Sequence, residues 1–173
     1  MLLENSEIKL RAPELEDLDT MFLIENDVRQ WNDGVTFAPV SRKQLWDYIS
    51  TYDGNIFAAG QLRLVIEQKS DGKILGVVDL YDYDRINLRA YVGITVTEQY
   101  RSQGIGTAVI GLITEYVKTE LGMYLLAAVV RADNAPSIRV FEKNGFTITG
   151  RMPGWIKRGA GRVDAVHMQL QFQ

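Results

Sequence analysis

The stretch that decides the fold is Gln99-Tyr-Arg-Ser-Gln-Gly-Ile-Gly106, which joins a strand-like apolar segment to a long amphipathic segment. Glycines at a strand-to-helix junction let the main chain pass close to a ligand, and the first N–H groups of the helix have no partner within it. Such a helix start binds anions, and pyrophosphate is a common ligand there. The stretch therefore predicts a phosphate-binding turn, with a tight turn that binds nothing as the alternative.

Two familiar phosphate motifs do not fit this stretch. A Walker loop requires Lys-Ser or Lys-Thr directly after its last glycine, whereas Thr107 and Ala108 follow here. A dinucleotide-binding fingerprint requires a third glycine where this chain has Val109, and it lies early in a parallel sheet. A protein that binds the phosphates of a nucleotide is therefore the least favoured functional hypothesis for this chain.

The segments around the stretch predict a mixed α+β architecture. Upstream, alternating and helical apolar patterns predict an antiparallel meander with helices before it, namely strands at 8–11, 62–68, 74–83 and 88–96 and helices at 14–26 and 41–50. Downstream we predict a helix at 106–121, a buried strand at 124–130, a helix capped by Asn134, and strands at 146–152 and 163–172. The strand–helix–strand order in the middle makes one parallel pair in an otherwise antiparallel sheet.

The composition excludes several kinds of site. The 173 residues include no cysteine and one histidine, His167, which rules out disulfides and leaves too few ligands for a zinc site of the His/Cys kind. The same scarcity argues against a Ser-His-Asp or Cys-His nucleophile, and we expect no metal. His167 is expected to be a surface residue, because it alternates with the inward-facing residues of the last strand.

The chain shows no apolar leader, and its longest uncharged run, from Ser102 to Thr114, is too short to span a bilayer. We therefore expect one cytoplasmic domain over residues 1–173, with no membrane partner.

Charge is divided unevenly along the chain. Residues 1–100 carry 17 acidic and 10 basic residues, and residues 101–173 carry 5 acidic and 9 basic ones. This division predicts that the second half meets an anion and the first half a cation, although ordinary solvated charges are an equal alternative. The sequence has no basic stripe, so we expect no nucleic acid partner.

Two motifs resemble those of one family. Arg101-x-x-Gly104-x-Gly106 matches [Q/R]-x-x-G-x-[G/A], the acyl-CoA pyrophosphate motif of the Gcn5-related N-acetyltransferases (GNAT), and 134–146 resembles that family's N-x-x-[AS]-x-x-x-Y-x-K-x-G-F block. The resemblance extends over about residues 7–172 and is strongest to the branch with spermidine and ribosomal-protein N-terminal acetyltransferases. It implies the GNAT fold, a mostly antiparallel central sheet with one splayed parallel strand pair, flanked by helices.

The resemblance also implies acetyl-CoA as co-substrate. Main-chain N–H groups of the motif would bind its pyrophosphate, the strand ending at Val96 would pair with its pantetheine arm, and the N–H of Val96 or a neighbour would polarise the thioester carbonyl. Asn134 would contact the cofactor from the far side, or would only cap its helix. The residues so assigned are Ile94, Thr95, Val96, Arg101, Ser102, Gln103, Gly104, Ile105, Gly106, Thr107, Asn134 and Ser137.

The sequence departs from the family pattern at two catalytic positions. The tyrosine that donates a proton to the leaving thiolate is Phe141 here, and a phenyl ring cannot donate one. A thiol with a pKa of about 8.5 leaves tolerably as thiolate, and water or another tyrosine such as Tyr124 could supply the proton. Tyr91 stands in the strand where many relatives carry a glutamate general base.

Asp79 is our candidate general base in place of that glutamate. It shares the strand alternation of Leu75, Val77, Tyr81 and Tyr83, so we expect it on an apolar and aromatic face with a raised pKa. An ion pair with an arginine, or a hydrogen bond to a tyrosine hydroxyl, is the alternative.

The acceptor would enter beside the first helices. We expect acidic side chains to attract a cationic amine to this region, namely Glu25, Asp33 and Asp82. The ring of Trp31 would pack against the methylene groups of the amine. The alternative is that these are ordinary surface and core residues. We expect N-acetyl transfer by direct attack of a primary amine, a polyamine or other small amine first and a protein N-terminus second. A non-catalytic acyl-CoA-binding module is the alternative, and exposed sheet edges make a homo-oligomer plausible.

Overall fold

The computed structural model describes residues 3–31 and 38–172, and its strands form one seven-stranded sheet in the order β1-β2-β3-β4-β5-β7-β6. The strands are β1 (Ile8–Arg11), β2 (Leu62–Gln68), β3 (Ile74–Asp84), β4 (Arg89–Val96), β5 (Leu125–Arg131), β6 (Thr147–Arg158) and β7 (Gly161–Gln171). The helices are α1 (Leu18–Glu25), α2 (Val28–Trp31), α3 (Arg42–Ser50), α4 (Ile56–Ala59), α5 (Ile105–Thr119) and α6 (Ala135–Lys143). Within the described ranges no helix is long and apolar enough to cross a membrane.

The predicted caps form as hydrogen bonds. Ser41 begins α3, where its hydroxyl accepts from the N–H of Gln44 at 3.1 Å and the Gln44 side chain accepts from the N–H of Ser41 at 2.8 Å. Asn134 begins α6 and accepts from the N–H of Ser137 at 3.2 Å. These side chains satisfy N–H groups that the helices leave unpaired.

Several elements differ from the prediction. The helix expected at 14–26 is a 3₁₀ turn, Leu15–Asp17, followed by α1, and the buried Asp17 carboxylate accepts from the N–H of Glu14 at 2.8 Å. The four-residue helices α2 and α4 were not predicted, because one turn is too short to show a helical period. Strand β6 runs to Arg158, six residues beyond the predicted end, because it pairs with β7 again after a break in register.

Two cores cover the two faces of the sheet. On one face, called here the α5 face, buried residues of α5 and α6 pack on the strands, among them Ile110, Ile113, Phe141, Val92 and Leu126. On the other, called here the α1 face, buried residues of α1 and α3 pack on β2 and β3, namely Met21, Ile24, Leu45, Ile49, Val65 and Val77.

The alternation expected in β3 was wrong at two positions, Leu75 and Tyr83. Tyr83 reaches the α5 face after a shift in the β3–β4 register between Tyr81 and Asp84. Leu75 packs into the core of the α5 face, whereas Val77 packs into that of the α1 face, although the two share the same parity. The cause is a shift in the β2–β3 register between Ile66 and Glu67, directly opposite this part of β3.

The two central strands separate, which confirms the splayed parallel pair. Strands β4 and β5 pair in parallel only from Arg89↔Leu125 to Tyr91↔Ala127. Beyond Tyr91 strand β4 continues for five residues, about 17 Å at about 3.3 Å per residue. The sheet therefore contains a gap between its central strands, which opens beyond Tyr91 and ends at the loop before α5.

Candidate active site

The start of α5 lies at the open end of this gap and has no side-chain cap. Gly104 is the N-cap residue, with φ +83°, and a Cβ built there meets no atom within 4 Å. Ser102 also adopts a positive φ of 61°, and residues 101–104 are all exposed. Because no side chain caps this fifteen-residue helix, the N–H groups of its first turn and its positive dipole end are available to an anion.

The loop before α5 is held from both sides. The Arg101 guanidinium donates through Nε to the Val96 carbonyl at 2.9 Å, which joins the loop to the end of β4. The Gln103 side chain turns back and donates to the Gln99 carbonyl at 3.0 Å. Asn144 at the end of α6 donates to the Thr107 carbonyl at 3.1 Å, which fixes the first turn of α5 against α6. The helix start is therefore preorganised.

The main chain of β4 presents alternate residues to the gap. The N–H of Thr97 donates to the Leu75 carbonyl at 2.9 Å, so odd-numbered residues at this end of β4 pair with β3. The alternation directs the main-chain groups of Ile94 and Val96 toward the gap, as the cofactor assignment requires. Thr95 lies opposite Val77 and is one of the odd-numbered residues, so its main-chain N–H and C=O groups face β3. This differs from our expectation that Thr95 pairs with the pantetheine arm.

The other assigned cofactor residues occupy the same end of the sheet. Ile105 and Gly106 lie in the first turn of α5, and a Cβ on Gly106 would lie 3.4 Å from Val140 of α6, so that glycine also permits close helix packing. Asn134 and Ser137 lie at the start of α6 and are joined by a hydrogen bond. Asn134 therefore caps the helix, which was the alternative to a contact with the cofactor.

Phe141, at the family's proton-donor position, and Tyr124, the tyrosine suggested in its place, lie in different parts of the sheet and helices. Phe141 is buried, with 3% of its surface exposed, and packs edge to face on Phe146 with ring centroids 5.1 Å apart. Tyr124 precedes β5, where its N–H donates to the Leu88 carbonyl at 2.7 Å. That is the closed end of the β4–β5 pair, away from the open end at the start of α5, which favours water over Tyr124 as the donor.

Tyr91 and His167 meet on the α1 face, at the end of the parallel ladder. The Tyr91 hydroxyl lies 3.2 Å from His167 Nε2, and His167 Nδ1 lies 2.9 Å from the Thr149 hydroxyl. Tyr91 also stacks on Tyr81, with centroids 5.6 Å apart and planes at 21°. His167 is thus a half-buried, hydrogen-bonded residue and not the surface histidine we expected.

Asp79 forms the ion pair that was the alternative to its role as base. Arg63 stands opposite it on β2 and donates to both carboxylate oxygens, Nε to Oδ1 at 2.7 Å and Nη2 to Oδ2 at 3.0 Å. Arg63 also donates to Glu25 of α1. Burial alone would lower the pKa of Arg63, but the hydrogen bonds and charges of Asp79 and Glu25 outweigh it, so the pKa is raised. Each oxygen of Asp79 accepts one of these bonds and keeps a lone pair for a further donor, so the ion pair does not close Asp79 to an amine.

Tyrosines surround this ion pair. Burial raises the pKa of Tyr52 to about 12, and its hydroxyl donates to the Arg63 carbonyl. Burial also raises the pKa of Tyr81 to about 12, with further increases from Asp82, Tyr91 and Asp79. A small cavity beside the ion pair is lined by Tyr48, Gln61, Leu62, Arg63 and Asp79.

The predicted acidic approach is assembled only in part. Glu25 joins the ion pair with Arg63, and Asp82 is exposed beside Tyr81 on β3, at a positive φ of 50°. The side chain of Trp31 and the whole of Asp33 lie outside the described residues. Among the residues that the structure describes, no group of three or more acidic or histidine side chains could hold a metal ion.

Sequence reasoning missed Arg63 and His167. Strand alternation showed which face each residue of a strand occupies, but the partners Tyr91 and His167 are 76 positions apart. Only the sheet order, with β5 between β4 and β7, brings them together.

Comparisons with known proteins agree with this geometry. A family profile described as an acetyltransferase (GNAT) domain matches residues 7–147. Spermidine N(1)-acetyltransferase of Escherichia coli (strain K12) is 29% identical over 148 residues, 84% of this chain and 75% of that protein. A putative ribosomal N-acetyltransferase of Bacillus subtilis (strain 168) is 28% identical over 81 residues, 47% of this chain and 44% of that protein.

A solved structure has the same fold. Spermidine N-acetyltransferase from Vibrio cholerae, in complex with CoA and spermine, superposes with a TM-score of 0.86 at 20% identity, and the match covers 96% of each chain.

Proposed function

The chain belongs to the GNAT acetyltransferase family and is an N-acetyltransferase, and we propose that it transfers the acetyl group of acetyl-CoA to a primary amine. A polyamine or another small amine is the first choice of acceptor, and a protein N-terminus is the second. The observation that carries the proposal is the gap between β4 and β5, which leads to the uncapped start of α5.

The gap suits an acyl-CoA molecule in shape and chemistry. The first-turn N–H groups of α5 would bind the pyrophosphate, with Arg101 and Ser102 beside it. The pantetheine arm would then lie along β4 as an added strand and form hydrogen bonds with the main-chain N–H and C=O groups of Ile94 and Val96. Because β4 extends about 17 Å past its last pair with β5, an extended pantetheine arm would bring the thioester near Tyr91.

Transfer would be direct, with both substrates bound. The amine nitrogen attacks the thioester carbon, the carbon–sulfur bond breaks, and CoA leaves as the thiolate, which receives through water the proton that the nitrogen loses. A gap-facing main-chain N–H of β4 beside the thioester would hold the developing oxyanion. The chain has no cysteine to carry an acetyl group between two half-reactions, which supports a single step.

The acceptor side favours a cationic amine. Residues 1–100 carry the excess of acidic residues, and they supply Glu25, Asp79 and Asp82 on or near the α1 face. The relatives named for spermidine also support a polyamine, whereas the ribosomal relative supports a protein N-terminus. A cytoplasmic location and a homo-oligomer stay predictions, and the role of Asp79 as general base stays untested, as the alternative to the assignment made below.

Thiol release on turnover tests this proposal. Because the chain contains no cysteine, a thiol reagent would report only the CoA that is released, without background from the protein. We expect release with acetyl-CoA and spermidine, slower release with a peptide that has a free N-terminus, and none with the N-acetylated peptide. Binding of acetyl-CoA without release for any amine would favour the non-catalytic module instead.

A further inference from the structure

We infer that Tyr91 and His167 together take the proton from the acceptor ammonium, with the Tyr91 hydroxyl facing the amine and His167 Nε2 receiving the proton behind it. This inference rests on the proposed function and deepens it. It assigns the base of the reaction to two residues from different strands, β4 and β7.

Thr149 contacts His167 at two points. The Thr149 hydroxyl oxygen lies 2.9 Å from His167 Nδ1 and 3.3 Å from the His167 carbonyl oxygen. The proposed relay uses the tautomer in which Nδ1 donates its hydrogen to the Thr149 oxygen. In the neutral ring Nδ1 then carries the hydrogen, and Nε2 is the basic nitrogen.

The basic nitrogen faces the Tyr91 hydroxyl. Nε2 and the hydroxyl oxygen are 3.2 Å apart, and the two rings meet edge to face with centroids 5.7 Å apart. Tyr91 therefore donates to His167, and its oxygen keeps lone pairs for another donor. Stacking on Tyr81 holds the Tyr91 ring in this orientation.

The position of Tyr91 matches the expected position of the thioester. Tyr91↔Ala127 is the last pair of the parallel ladder, so Tyr91 lies where the gap closes. An acyl-CoA with its pyrophosphate at the start of α5 would direct its acetyl end to this point. The α1 face, on which Tyr91 and His167 lie, is also the face of the acidic residues that favour a cationic acceptor.

The neighbouring strands place few charges around this pair. Among the described residues on the same face or packed over it, the titratable ones include Tyr81, Asp79 and Asp82 on β3, Arg63 on β2, Arg89 on β4, Arg131 on β5, Glu25 on α1 and Tyr48 on α3. Arg89 pairs with Asp84. Asp79 and Arg63 neutralise each other, and Arg131 pairs with Asp133. His167 thus forms no ion pair within this group, and its described side-chain partners are Tyr91 and Thr149.

The proton balance of the step is closed. As the ammonium gives a proton to the Tyr91 oxygen, the Tyr91 hydroxyl gives its own to His167 Nε2, which leaves a neutral amine, a neutral tyrosine and an imidazolium. The amine then attacks the thioester carbon, the carbon–sulfur bond breaks, and the second nitrogen-bound proton leaves through water to the thiolate. The imidazolium releases its proton to solvent, so the products are the amide, CoA thiol and one proton.

Kinetics as a function of pH test the inference. With acetyl-CoA and spermidine, we expect wild-type kcat/KM to rise with pH to a plateau once His167 is neutral. His167→Gln and Tyr91→Phe should each lower kcat/KM near pH 7 by about 100-fold and remove the plateau, because only the rare free amine then reacts. Thr149→Val should cause a smaller loss that Thr149→Ser restores. Tyr116→Phe on α5 is the control for removal of a tyrosine hydroxyl and should retain wild-type rates.

The single histidine offers a second readout that does not depend on any variant folding. In protein without an affinity tag, the imidazole C–H signals in a nuclear magnetic resonance spectrum belong to His167 alone. The midpoint of their titration should equal the pH at which kcat/KM of the wild type reaches half of its plateau. Tyr91→Phe should shift the midpoint of the titration.

The outcomes separate this inference from the proposed function. If the wild type turns over but its acid limb differs from the His167 midpoint, or if His167→Gln keeps the plateau, the inference is overturned and the function stands. If the wild type neither binds acetyl-CoA nor releases thiol, the proposed function itself fails.

Discussion

At the scale of single residues, Gly76 sets the course of β4. It stands opposite Val96 in the β3–β4 pair, and a Cβ built on it would lie 2.0 Å from the Thr95 carbonyl oxygen. No side chain can occupy that space unless one of the two strands moves. The absence of a side chain at Gly76 therefore lets β4 lie where its outer edge borders the gap.

Gly76→Ala tests this role. We expect the free energy of unfolding to fall by about 1–3 kcal/mol, since the clash is with main chain and requires a backbone shift. Acetyl-CoA should also bind more weakly, because Val96 would move with the strand. Gly150→Ala in β6 is the matched control, as its Cβ would meet no atom within 4 Å. Urea unfolding and calorimetry would measure both effects, and equal stability of the two variants would contradict the account.

Asp79→Asn separates the ion pair from a role as base. With proton transfer at Tyr91 and His167, the variant should lose about 1–3 kcal/mol of stability, as a charge-assisted hydrogen bond to Arg63 is weakened. The acid limb of kcat/KM should stay in place. Glu25→Gln, which weakens the other bond to Arg63, is the control. Loss of the acid limb with unchanged stability would instead establish Asp79 as the general base.

At the scale of elements, the order and type of the main strands and helices were predictable, since each long element shows its own period. The strand predicted at 62–68 matches β2, and Ser41 and Asn134 begin helices as predicted. The errors have local causes. A break in the β2–β3 register moves Leu75 to the other face, and one-turn helices such as α4 show no period.

The β3–β4 turn gives this hairpin a dependence on pH. Asp84 accepts from the N–H groups of Ile86 and Asn87 at 3.0 Å each, and from the Asn87 side chain at 2.7 Å. The hydrogen bonds from Asn87, with lesser contributions from Arg89 and Ile86, lower the pKa of Asp84 from 3.8 to about 2. A lowered folded-state pKa means that this stabilisation is complete above about pH 4 and is lost as pH falls toward 2.

Asp84→Asn should therefore reduce stability at neutral pH, since a neutral amide with one acceptor oxygen cannot replace the charged carboxylate in its hydrogen bonds to Ile86, Asn87 and Arg89. The urea midpoints of the wild type and the variant should converge as pH falls from about 4 to about 2, because protonation removes the same charge from the wild type. A difference that stays constant over this range would show that the charge of Asp84 contributes nothing to the turn.

At the scale of the whole molecule, the sheet separates the two proposed sites. The loop before α5 carries the proposed anion site, and the α1 face carries Tyr91, His167 and the Arg63 ion pair. The sequence motif could predict the first of these because its residues are consecutive. The second is assembled from β2, β3, β4 and β7, so it depends on sheet order and register, which local patterns do not determine.

The measurement that most directly tests the central claim is a calorimetric titration of acetyl-CoA into three proteins. These are the wild type, Gly104→Glu and Gly122→Glu. Both glycines have a positive φ, and a Cβ on either meets no atom within 4 Å, so the two variants add the same charge at similar cost. Only Gly104 lies at the start of α5, whereas Gly122 lies beyond its end.

We predict that the wild type and Gly122→Glu bind acetyl-CoA with equal affinity, that an excess of ATP or NADH does not displace it, and that Gly104→Glu does not bind. Retained binding in Gly104→Glu would contradict the placement of the pyrophosphate at the start of α5, and with it the path of the arm through the gap.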